Sequence, residues 1–337
     1  MKRFSALAPV WTVAVCCLSF CPALRGAPPA TAEGDDQNPQ PGAQRANDFI
    51  RVARNAQQQP VALEISTVRF IKQVLRDRVE EGVVVKRKIP IAVDLISAVH
   101  IGDRPYYQKL NQQFRTYDVV LYELVADKDS RTPPKGQRPD DLTALLRLTM
   151  NVALRLDHQL DHIDYQKKNL VHADLSPAEM AAAIQKRGDD LSTIALGVLA
   201  DAIRRQNLAG QAGAARPQEE MNLLAAFTEP DGPLKLKRLL AEQLAAPGAA
   251  GGLGRTLDEI LIADRNQAAI RVLHEQLDMG HEKLAIFYGA GHMSDFSERL
   301  REIGFQQDAV TWTTAWNLKS PKSELFGLLK LLQTLTK

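Results

Sequence analysis

The chain has 337 residues, 45% of them hydrophobic and 24% charged, with a formal net charge of +2. That length buries a substantial core in one large domain or two modest ones. The near-neutral balance, with no basic stripe and no acidic block, sets aside nucleic-acid binding and a solvating tail.

The first 27 residues read as a signal peptide. Met1-Lys-Arg3 is a short cationic region, Phe4 to Leu24 is apolar, and small residues follow at Gly26, Ala27, Ala30 and Ala32. Pro9 and Pro22 interrupt the apolar run, which argues against a retained membrane anchor. Cys16, Cys17 and Cys21 all lie in this segment. The mature chain is therefore expected to be exported, periplasmic or secreted, and to lack any thiol for catalysis, zinc ligation or disulfides. No other segment is long and apolar enough to span a bilayer. Residues 28–47, rich in Pro, Gly, Gln and Ala, read as a disordered linker.

Val61 to Gln73 alternates apolar and polar residues, as a half-buried strand does. Glu80-Glu81-Gly82 reads as a turn, and Val83 to His100 returns as a second strand, so a leading β-hairpin is expected. Gly102, Asp103 and Pro105 announce a helix on which Tyr106, Leu110 and Phe114 recur at helical spacing. Asp118 to Val125 follows as a short strand carrying Glu123. Strand, helix and strand in this order predict a βαβ unit with parallel pairing. Residues 140–250 change texture, with Ala and Leu dominant, and are expected to form an all-helical insertion beside the sheet. Within it, Ser176-Pro177-Ala-Glu179 carries a capping box with Pro at the first helical position. Thr256 to Leu277 then reads as helix, Lys283 to Tyr288 as strand, Ser294 to Ile303 as helix and Gln307 to Trp316 as strand. Leu325 to Leu335 reads as a short amphipathic helix. The expected fold is α/β: a mixed β-sheet flanked by helices over residues 48–337, with the hairpin at its start and the insertion within it.

Two apolar runs end in histidine: Ile91 to His100, and Leu284-Ala-Ile-Phe-Tyr-Gly-Ala-Gly-His292. Ligands of open α/β sheets bind at the carboxyl ends of strands, which directs both imidazoles toward one site. Either histidine alone is as readily a structural donor to a backbone carbonyl. Two at equivalent strand ends favour a metal ligand or a general base. Glu123, in an otherwise apolar strand, must be paired, hydrogen-bonded or bound to a cation. Arg265 is its candidate partner, or else an anchor for a substrate carboxylate or an oxyanion. Asp103 joins the site or, more naturally, caps the next helix. His158 and His162 stand four residues apart, a spacing zinc sites use, but without the glutamate of His-Glu-x-x-His they read as surface or packing residues. His172 is a weak signal. A Gly-x-Ser-x-Gly elbow, a Walker loop and a dinucleotide glycine fingerprint are absent from the sequence.

At these residues the chain resembles the TraB–PrgY–TIKI (GumN-like) family, part of a wider group with the erythromycin esterases and the haem-binding ChaN proteins. That family carries two Gly-x-x-His motifs, a glutamate at the end of a strand, and an arginine in the helix before the second motif. Gly289-Ala-Gly-His292 matches, as do Tyr122-Glu123-Leu124 and Asp264-Arg265-Asn266; Ser97-Ala-Val-His100 has Ser where the family has Gly. The likeness covers roughly residues 91–125 and 257–316. It implies a metal-dependent, peptidase-like hydrolytic site, since TIKI members are proteases that use manganese or cobalt. His100, His292 and Glu123 would hold or surround a divalent metal (Mn, Co or Zn), with Arg265 orienting Glu123 or stabilising charge. The substrate would be a peptide or a small ester or amide. Two alternatives stand beside this: a non-catalytic binder of a peptide signal or haem, and a metal-free esterase with one histidine as base.

Overall fold

A computed structural model of the chain describes residues 49–127, 154, 156–186, 231–246 and 262–320. The expected signal peptide, linker and C-terminal helix lie outside the described residues, as does much of the 140–250 segment. The strands are β1 (Ile50–Arg54), β2 (Pro60–Glu80), β3 (Val83–Ala98), β4 (Ile101–Gly102), β5 (Val119–Tyr122), β6 (Asp157–His158), β7 (Leu170–His172), β8 (Lys283–Gly289) and β9 (Gln306–Asn317). The helices are α1 (Arg104–Phe114), α2 (Gln159–His162), α3 (Pro177–Lys186), α4 (Gly232–Leu244), α5 (Asp264–Asp278) and α6 (Met293–Glu302), with a 3-10 turn at Ala290–His292.

β2 and β3 form the expected hairpin, in antiparallel register from Glu80↔Val83 to Thr67↔Ile96. Its two-residue turn sets Glu81 at φ 50° and Gly82 at φ 84°, left-handed values whose twist matches that of the flanking strands. β1, which the sequence reading left out, pairs antiparallel with the start of β2, continuing the line of β3 along the same edge. β9 pairs antiparallel along the other edge.

The seven-stranded sheet has the order β9-β2-β3-β8-β5-β7, with β1 also on β2. β3, β8, β5 and β7 are mutually parallel; β2 alone runs against the others. β3 and β5 are thus parallel, as a βαβ unit requires, but they are not neighbours, because β8 lies between them. The reason is burial. Leu284, Ile286 and Tyr288 pack against α5 and α6 on one face, while Ala285 and Phe287 belong to the cluster of α1 on the other. A strand apolar on both sides is stable only at the centre of a covered sheet.

Within residues 140–250 the structure corrects the all-helical expectation. β7 extends the main sheet by pairing with β5, and β6 pairs with β4 in a separate two-stranded sheet. Strands of two or three residues are too short to show alternation, so the pattern was invisible in sequence. The capping box of α3 forms as expected: the Ser176 N–H donates to Glu179 Oε2 at 2.8 Å and the Glu179 N–H to Ser176 Oγ at 3.2 Å.

Asp103 stands at the N-cap position of α1 but makes no side-chain capping bond. Its carboxylate instead accepts from Lys237 Nζ at 2.7 Å and from the Asn317 N–H, tying α4 and β9 to the start of α1. The nearly buried Lys237 ammonium needs an ion partner more than a solvent-facing helix end needs a cap.

Candidate functional site

The parallel strands deliver four side chains to one edge of the sheet. His100 follows β3, Glu123 follows β5, Asp174 follows β7, and His292 closes the turn after β8. Glu123 lies one residue beyond its strand rather than inside it, although its N–H still donates to Phe287 O at 3.2 Å. Arg265 arrives from the first turn of α5. A helix leading into a parallel strand must begin at the carboxyl edge, which places that turn at the site.

Three of these groups surround Gly289. The position that a Cβ would take there lies 3.3 Å from Glu123 Oε2, 3.8 Å from His292 Cδ2 and 3.9 Å from His100 Nε2. Gly289 has φ −53°, which any residue adopts, so glycine serves here by leaving room and by its N–H. That N–H donates to Glu123 Oε2 at 2.7 Å. The two distant His motifs and the glutamate therefore converge as the sequence reading expects.

Arg265 joins two acidic residues. Its Nη2 donates to Glu123 Oε1 at 2.7 Å and to Asp174 Oδ2 at 2.6 Å, and its Nε to Asp174 Oδ1 at 2.9 Å. The Asp174 side chain is fully buried and that of Arg265 is 5% exposed. Of the two roles open for Arg265, the bonds from Nε and Nη2 fit orientation of Glu123. Burial alone would raise the Glu123 carboxyl; Arg265, then His292 and His100, and the Gly289 N–H bring it far below the ordinary carboxylate range. Burial acts against the Arg265 charge, but Asp174 and Glu123 outweigh it and raise its pKa further. Burial dominates at His292 and pushes its imidazole down to about 4, against the opposing pull of Glu123.

His292 Nε2 stands 3.7 Å from Glu123 Oε1, beyond hydrogen-bond range. Its Nδ1 is 2.7 Å from Asn266 Oδ1. Tyr288 and Phe296 flank the ring. Asp174 and Asn266 are the two residues that sequence reasoning missed. Asn266 sits beside Arg265 in the same motif. Asp174 was hidden by the all-helical reading of its segment.

His158, His162 and His172 make contacts away from this cluster. His158 Nδ1 accepts from the Leu160 N–H at 3.2 Å. His162 stacks on Tyr107 and lies 2.9 Å from Asp157. The two therefore share no helical face, since His158 belongs to β6. His172 donates from Nε2 to Leu124 O at 2.6 Å.

The arrangement does not fit the divalent metal that the resemblance implies for His100, His292 and Glu123. A cation on Glu123 would share Oε1 with the Arg265 guanidinium, or Oε2 with the Gly289 N–H. It would also stand beside a buried positive charge, in surroundings where like charges repel strongly. Among the described residues no group of three or more His, Cys, Asp or Glu side chains is arranged to hold a metal ion.

In comparison with known proteins, the chain matches no family model, no curated protein and no solved structure.

Proposed function

We propose that the chain is an exported hydrolase, related to the TraB–PrgY–TIKI group, that cleaves a peptide or a small ester or amide by general-base catalysis without a metal at Glu123. The observation that carries this reading is the convergence of His100 Nε2, Glu123 Oε2 and the His292 ring within 4 Å of one point above Gly289. Burial keeps His292 neutral at physiological pH, the form a base needs, while Glu123 is ionised.

In this reading a water held between Glu123 Oε1 and His292 Nε2, which stand 3.7 Å apart, is oriented by the Glu123 carboxylate and loses a proton to His292 as its oxygen attacks the substrate carbonyl. His292 then returns that proton to the leaving oxygen or nitrogen, which restores the neutral imidazole. Arg265 and Asp174 keep Glu123 in place throughout. His100, half-buried and with its Nε2 in the same cluster at Gly289, supplies a donor to the developing charge on the carbonyl. Export rests on the N-terminal cationic and apolar pattern.

The test is hydrolysis of p-nitrophenyl esters and of a mixed peptide library, with and without a chelator. Turnover that survives chelation and falls about 10²-fold or more in His292→Ala is expected. Turnover abolished by chelation would return the site to metal chemistry. Stoichiometric binding without turnover would make the protein a binder.

A further inference from the structure

Asn266 is fully buried, and the orientation of its amide is dictated by what surrounds it. Nδ2 donates to the main-chain oxygen of His292 at 3.0 Å and to Asp295 Oδ2 at 2.7 Å. Both partners only accept, so turning the amide over would set an oxygen against two oxygens. Asp295 is held in turn by Arg299 Nε at 2.5 Å, and Arg299 Nη1 donates to Gln267 Oε1 at 2.6 Å, which carries the brace to the surface. Oδ1 is thereby directed at His292 Nδ1, 2.7 Å away. Only a protonated Nδ1 can bond to it.

We infer that Asn266 is a positioning residue that fixes the tautomer of His292, holding the ring proton on Nδ1 and presenting Nε2 to the site as a bare lone pair. Nε2 then faces Glu123 Oε1 across 3.7 Å, acceptor against acceptor. Such a pair admits a ligand group that brings its own proton, such as water, a hydroxyl or an ammonium, and rejects a carbonyl or phosphate oxygen. The inference rests on the proposed function in taking His292 as the base, and it specifies the chemical class of the group that base accepts from.

Without Asn266 the tautomer has reason to change. Nδ1 would lose its acceptor, while a proton on Nε2 would point at the Glu123 carboxylate. Long-range proton–nitrogen correlation spectra of labelled protein at neutral pH report this directly, with His292 assigned by comparison with His292→Gln. The wild-type ring is expected to show a protonated Nδ1 and an unprotonated Nε2. In the nearly isosteric Asn266→Leu the two assignments are expected to exchange. If that variant does not fold, Asp295→Asn, which removes the carboxylate that orients the amide, is expected to add a second signal for the Nε2-protonated form. A wild-type spectrum with Nε2 protonated overturns the inference, as does an unchanged spectrum in whichever variant folds. The spectra need no substrate, so they separate the two readings. The expected tautomer without turnover would sink the hydrolase and leave Asn266 its role; turnover with Nε2 protonated would overturn the inference and leave a hydrolase whose base is another group. In an active enzyme, Asn266→Leu is expected to lower kcat about 10²-fold with KM little changed.

Discussion

Arg265 shows how a single buried cation can hold a site together. It lies between two carboxylates, with its own side chain 5% exposed. Arg265→Met keeps much of the side-chain volume but leaves Glu123 and Asp174 buried without their counter-charge. Breaking such a group by removing one partner costs about 3–5 kcal/mol, so a loss of that size is expected in urea unfolding. A loss below about 1 kcal/mol would mean that the pairs are solvated. His292 makes a second prediction at this scale. Its folded pKa is about 4, below the ordinary value of roughly 6.5 that the unfolded chain shows. The unfolded state therefore binds more protons between those values, and stability must fall as the pH drops through that window. The effect amounts to at most about 3 kcal/mol for one fully buried imidazole. Comparing unfolding midpoints from neutral pH down to about 4, His292→Gln is expected to lose clearly less stability than the wild type. Equal slopes would place the imidazole in solvent. Much of this scale was legible: the burial of Glu123 and its link to Arg265 follow from the cost of a bare charge in an apolar run. Asp174 and Asn266 were not, because nothing in the chain says which polar residue a distant guanidinium or imidazole will meet.

Elements were readable in proportion to their length and regularity. β2, β3, β8 and β9 have long alternating or apolar runs, and α1 and α3 have clear start signals; all were anticipated. β1, β4, β6 and β7 are two to five residues long and acquire their conformation from the strand they pair with, so local pattern carried no trace of them. The β2–β3 turn can be tested directly. A Cβ at Gly82 would meet nothing within 4 Å, so Gly82→Ala has only the cost of left-handed backbone, about 1 kcal/mol. A destabilisation of that size, with secondary structure intact by circular dichroism, is expected. An unchanged midpoint would show that the turn has another conformation. The same reasoning explains Asp103: the sequence marked a helix start, but the buried Lys237 ammonium claimed the carboxylate.

At the scale of the whole molecule, parallel strands with covered faces put their carboxyl ends on one edge, and the candidate site lies there. Among the described residues no helix is long and apolar enough to cross a membrane. A ligand that binds only the folded state stabilises it by about 2.7 kcal/mol at a hundredfold excess over Kd, several degrees in Tm for a domain of this size. Because the donors around Gly289 do not fit a divalent cation, manganese, cobalt or zinc is expected to shift Tm by less than about 1 °C, and a chelator to leave it unchanged. A rise of several degrees that disappears in His100→Ala and His292→Ala would refute this. The amino-acid sequence by itself determined the α/β class, the hairpin and the His100, Glu123, Arg265 and His292 set, because those rest on periodicity and on the cost of burying charge, which are local properties. The tertiary structure alone decided that β8 lies between β3 and β5, that Asp174 and Asn266 stand beside Arg265 and His292, and that Arg265 bonds to Glu123 and Asp174 together. Those outcomes depend on which strand ends and side chains become neighbours, and that is a property of packing over the whole chain.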